Sequence, residues 1–125
     1  SSYHVDFAGN LHAVSTSVAT NQMAPCWVII GGNGHFAYTT DAASNAITGY
    51  RIGHNGELTI LNANGLTAST GPHPTDMAVS GNGHFLYARN GDGTISAFQV
   101  SSNGALSPIG TFGNLPASAT GLAGN

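Results

Sequence analysis

Lysine is missing altogether from the 125 residues, and arginine occurs only at Arg51 and Arg89. With 6% charged residues and a net charge of −3, the chain has no basic patch, which argues against nucleic acid or an anionic membrane surface as a partner. No apolar run approaches the roughly 18 residues a membrane-spanning helix needs. Cysteine is nearly absent too: Cys26 stands alone, so no internal disulfide can form. Flanked by Pro25 and Trp27, it reads as a buried apolar thiol with no base or cation beside it in sequence to activate it. No pair of histidines has the i, i+2 or i, i+4 spacing of metal ligands, and no carboxylate-rich calcium loop occurs, so neither metal nor cofactor is expected. There is no N-x-S/T sequon, and no leader with a charged start and an apolar centre, so a secretion signal is expected to have been removed or never present.

What is present suffices for one ordinary domain, since 41% of the residues are hydrophobic. Six histidines face five acids, so ordinary imidazole pKa values near 6.5 would carry the net charge from mildly negative to positive below about pH 6. A surface close to uncharged in between favours self-association. The lysine-free composition, rich in Gly, Ser, Thr and Asn, points to an extracellular or periplasmic location.

The phrase GGNGHF at 31–36 returns as SGNGHF at 80–85. At that shift of 49, Pro25 falls on Pro74, Ile30 on Val79, Phe36 on Phe85 and Tyr38 on Tyr87. At a shift of 48, Ile47 meets Ile95, Tyr50 meets Phe98 and Asn55-Gly56 meets Asn103-Gly104. At 47, Tyr3, Val5, Gly9 and Leu11 match Tyr50, Ile52, Gly56 and Leu58. The period is therefore near 48 residues, with two full copies and the second half of a third. Each copy holds four strand-like stretches, a to d, which in the first full copy read CWVIIG, HFAYTT, AITGYRI and ELTILNA, with the alternation broken once at Gly49. Asn-Gly pairs at 33–34, 55–56, 82–83 and 103–104 predict tight hairpins whose two central residues both take positive φ. The first Gly-rich phrase precedes a strand instead of a helix, so it marks a turn and not a phosphate cradle.

Four antiparallel strands per repeat of this length predict an all-β fold of β-propeller blades, an incomplete ring of about 2.5 blades. The boundaries expected are 1–24 for strands c and d of one blade, 25–71 for a full blade, and 72–125 for a second full blade with a tail. The stretches PCWVII…GHFAYTTDAASNAITGYRIGHNGELTIL and PTDMAVSGNGHFLYARNGDGTISAFQVSSNGALSPIG resemble the last blades of the lactonase-type seven-bladed propellers, the 6-phosphogluconolactonase-like and muconate-cyclase-like proteins. The likeness extends to a tail, NLPASATGLAGN. Seven blades at this spacing need about 340 residues, so further blades, from a longer chain or from copies of this one, are the expected partners.

Propeller connectivity puts the a–b and c–d turns on one face, where His35, His54 and His84 read as solvent-tolerant turn residues. The b–c and d–a connections lie on the other face, where the resemblance implies ligand binding. Arg89, His73 and Asp76 fall there as candidate catalytic residues, since a cation, an imidazole and a carboxylate can polarise a lactone carbonyl and activate water. The structural reading stands ahead of this one: Asp76 and Asp92 hold turn backbone, His73 is a rigid loop residue and Arg89 pairs with Asp92; the chain also has Arg89-Asn90 where phosphogluconolactonase-like relatives often have Asn-Arg. Asp41, Asp92 and Trp27 are candidate ligand contacts, although Trp27 and Tyr38 also read as core. Function is expected to be that of a structural or interaction module completed by other blades; the alternatives are a lactone hydrolase and a carbohydrate or polymer binding module, acting on a small lactone or a sugar.

Overall fold

A computed structural model describes residues 1–124. Eleven strands form three antiparallel sheets: a hairpin of β1 (Ser2–Val5) and β2 (Leu11–Ser15), and two sheets of propeller-blade design. The first runs β3 (Pro25–Gly31), β4 (Phe36–Asp41), β5 (Ala46–Ile52) and β6 (Leu58–Ile60), with β7 (Ala68–Ser69) also on β5. The second runs β8 (Asp76–Val79), β9 (Phe85–Arg89), β10 (Ile95–Val100) and β11 (Leu106–Phe112). The all-β expectation therefore holds, and among the described residues the only helical element is a 3₁₀ turn at Gly32–Gly34.

The core lies between the two larger sheets. Phe36, Tyr38 and Ile47 from the first meet Met77, Leu86, Phe98 and Leu106 from the second. Tyr38 is 0% exposed, and its hydroxyl donates to the Gly104 carbonyl across the interface at 3.0 Å. Burial pushes its phenol up to about 12, because the low-dielectric interior disfavours the phenolate. Two of the turn glycines, Gly32 in the first Gly-rich phrase and Gly104 in the β10–β11 turn, have a packing reason. A Cβ on Gly32 would sit 2.6 Å from the Phe36 ring, and one on Gly104 would sit equally close, so both turns must be bare for the ring to be enclosed.

Three expectations need correcting. First, only Asn33-Gly34 puts both residues at positive φ; at 55–56, 82–83 and 103–104 the glycine alone does so. In those turns the asparagine Oδ1 accepts the amide two residues on, from Glu57, His84 and Ala105, which stabilises a turn with the asparagine in an ordinary conformation. Second, ELTILNA is a strand only over Leu58–Ile60. Gly49 has no side chain to keep the ladder in step: its carbonyl accepts from Leu61 N–H, its own N–H donates to Thr67 Oγ1, and the chain loops out between them before β7 rejoins β5. Third, Trp27 is 48% exposed and Cys26 is exposed. A register shift between Pro25 and Val28 lifts both out of the β3–β4 ladder, and β3 is the edge of its sheet, so no further strand of that sheet covers them.

The β1–β2 hairpin turns at Asp6, whose carboxylate accepts the amides of Ala8 and Asn10, the Asn10 side-chain amide and the His12 ring. The Asn10 amide, then His12, hold it down at about 2. Behind the hairpin, residues 16–24 wrap the first sheet: Ala42 N–H donates to the Ala24 carbonyl, and Gln22 to the Asn64 carbonyl.

Candidate functional site

On the face of the b–c and d–a connections, β4 ends at Asp41, which is fully buried. Thr48 Oγ1 donates to its Oδ2 at 2.6 Å, while Oδ1 has no partner. Burial pushes this carboxyl above its ordinary value, with the Thr48 hydrogen bond opposing. Its repeat counterpart, 49 residues on, is Asn90, also fully buried. Asn90 donates to Thr94 Oγ1 and Ser96 Oγ and likewise keeps an unpartnered Oδ1. Asp92 serves its own turn: Oδ1 accepts both the amide and the hydroxyl of Thr94, and the hydroxyl chiefly holds the carboxyl below the ordinary range.

Arg89 and Asp76 are direct cross-strand partners on β9 and β8, both buried. Arg89 donates from Nη1 to Thr75 Oγ1 at 3.2 Å and from Nη2 to the Ala117 carbonyl at 2.6 Å, leaving Nε buried and unpartnered. Asp76 accepts the Met77 amide on Oδ1 and the Leu122 amide on Oδ2, each at 2.7 Å. The pair thus grips the backbone of the tail that follows β11. His73 is exposed on the connection before β8, at φ 54, with its amide donating to Asn45 Oδ1 at 2.8 Å. Cys26 Sγ lies 3.9 Å from the Thr75 carbonyl, and Trp27 N–H donates to Thr40 Oγ1. The fold therefore brings Arg89 and Asp76 together, with His73 on the adjoining loop. Asp41 and Trp27 belong to the neighbouring sheet, and Asp92 to the β9–β10 turn. The two side chains share one end of the β8–β9 ladder without closing to an ion pair; a guanidinium and a carboxylate can polarise a carbonyl and take a proton from water, but in this conformation both groups are directed at the tail. Among the described residues, no group of three or more His, Cys, Asp or Glu side chains stands ready to hold a metal ion.

On the opposite face a cleft of about 450 Å³ opens between the two Gly-rich turns. Arg51, His35, His84, Asn33, Asn82 and Ser102 line it, over the ring of Phe36. The Arg51 guanidinium carbon stands 5.2 Å from the centre of that ring. Sequence reasoning put the histidines on the surface but missed their convergence on a cation. The available signal was that Arg51 is one of two cations in the chain; it pairs across the β4–β5 ladder with Phe36, the last residue of the phrase.

These sheets, their 48-residue repeat and their shared aromatic core match a known profile, described as lactonase, 7-bladed β-propeller, over residues 2–113. The chain belongs to that family. A functionally unknown protein of Desulfotomaculum acetoxidans is similar in structure, with TM-score 0.77 and 23% identity over 90% of this chain. A Lactobacillus plantarum protein gives TM-score 0.69 and 25% identity over 89% of the chain. The periplasmic gluconolactonase of Pseudomonas aeruginosa gives TM-score 0.56 and 26% identity over 71%. The lactonase-family chain spans 34% of each of the first two proteins and 26% of the third. No curated protein matches it.

Proposed function

We propose that the chain acts as a structural and interaction module of a lactonase-type propeller, its flanks covered by further blades or by copies of itself. The observation that carries this reading is the apolar surface left open at both ends. Tyr3, Val5, Leu11, Trp27, Val28 and Ile30 are exposed on the side of the first hairpin and β3, and Ile109 and Phe112 on β11 at the other end. Apolar surface of this kind, in contiguous patches, marks sites of association, and an open sheet edge invites another strand. Its composition suits work outside the cytoplasm. Sedimentation of the 125-residue chain tests the reading. Self-association above 12.6 kDa is expected, and a compact monomer with unchanged β content would overturn it.

Lactone hydrolysis is the second reading, favoured by the buried Arg89–Asp76 pair with its unpartnered Nε and by the likeness to a gluconolactonase. With the tail displaced, Arg89 would polarise the lactone carbonyl and His73 or Asp76 would activate water. Arg89→Ala should then abolish turnover of simple lactones in the assembled protein without altering its fold. Unchanged turnover in that variant, or none in the unmodified assembly, counts against it.

A further inference from the structure

The chain has two cations, and they are used differently. Arg89 is spent on the tail. Arg51 is exposed, and among the described residues its guanidinium has neither a hydrogen-bond partner nor a carboxylate within ion-pair distance, the one such pair being His12–Asp6. Its guanidinium carbon lies over the Phe36 ring, 5.2 Å from the centroid, a cation–π contact that consumes none of its N–H donors. Phe36 is itself fixed by burial in the core, so the cation has a rigid seat.

What surrounds those donors is polar and lacks negative charge. The lining of the cleft carries two imidazoles, two side-chain amides and the hydroxyls of Ser101 and Ser102, and no carboxylate, in a chain of net charge −3. Asn82 uses its Oδ1 on the His84 amide and the Ser80 hydroxyl, which leaves its Nδ2 to donate elsewhere. The volume, about 450 Å³, falls in the range of small-molecule sites, about 300–1,000 Å³. Both walls come from the two complete sheets, so the cleft needs no further blade to exist.

We propose that this cleft binds a small polyhydroxylated anion, a sugar acid or a sugar phosphate, with Arg51 holding the anionic group and the amides, imidazoles and hydroxyls holding the polyol. The guanidinium edge matches the paired oxygens of a carboxylate or phosphate. The remaining donors and acceptors match vicinal hydroxyls. The site is independent of the assembly and of the Arg89–Asp76 pair.

Calorimetric titration of the purified chain with gluconate, glucose 6-phosphate, glucose and inorganic phosphate tests this. Saturable binding of gluconate or glucose 6-phosphate is expected, with glucose and inorganic phosphate each at least about tenfold weaker, and the stronger of the two sugar anions identifies the anionic group. Arg51→Gln should weaken that binding by about tenfold or more, since a hydrogen bond to a charged group contributes about 1.5–3 kcal/mol. The His35→Ala, His84→Ala double variant should weaken it less. Near-UV circular dichroism of each variant confirms the fold. Equal binding of glucose, equal binding of phosphate alone, no binding of either sugar anion, or unchanged affinity in Arg51→Gln would each overturn the proposal.

Discussion

Phe36 and Tyr38 on the first full sheet, and Phe85 and Tyr87 on the second, hold the same places in the repeat but not the same surroundings. The first pair is buried against the second sheet, whereas the later pair is only half-buried. Among the described residues, the equivalent face of the second sheet has no sheet beyond it; part of it is crossed by the tail, held by Arg89 at Ala117 and Asp76 at Leu122. The difference teaches that these side chains gain their stabilising contacts from the following blade, so one sequence motif contributes unequally according to its neighbour.

The largest effect expected follows directly. Phe36→Ala should cost about 3–5 kcal/mol, the usual range for a buried aromatic, and Phe85→Ala less than about half as much, both read from urea unfolding. Equal costs would break the comparison. Next, Arg89→Met should cost about 2 kcal/mol through lost charge-assisted hydrogen bonds and should speed amide exchange at Leu122. The counterpart of Arg89 in the first sheet, Thr40, receives only Trp27 N–H, so Thr40→Val should leave the tail unaffected.

Asp41 and Asn90 sharpen the comparison by pH. Burial raises the Asp41 carboxyl above 3.8 in the folded chain, so between that value and its raised one the folded state binds more protons than the unfolded state. Stability should therefore fall as pH rises through the window and stay lowered above it. Asp41→Asn should remove that slope, Asn90→Asp should add one, and both are checked by unfolding at a series of pH values. The smallest effect is spectroscopic. Trp27 emission from the isolated chain should be red-shifted and quenched by iodide, and should move to the blue when its flank is covered.

The repeat made most of the fold legible, because period-two aromatics and Asn-Gly pairs report strand and turn directly. Turn type was not legible: whether asparagine takes positive φ or caps with its side chain depends on the loop around it, as Asn33 and Asn82 show. Nor was the exposure of Trp27, since an apolar strand residue is buried only if a neighbouring blade covers it. The loop face was placed from connectivity, but the tail's return onto Arg89 and Asp76 joins residues 28 and 46 positions apart and leaves no periodic trace. The Arg51 cleft was missed for a similar reason, because it forms only where two repeats meet.

Native mass spectrometry of the protein taken from its natural source measures the need for neighbours most directly. A particle several times heavier than 12.6 kDa, as a longer polypeptide or as an assembly, is the predicted result. A lone 12.6 kDa species retaining its β structure would contradict the account.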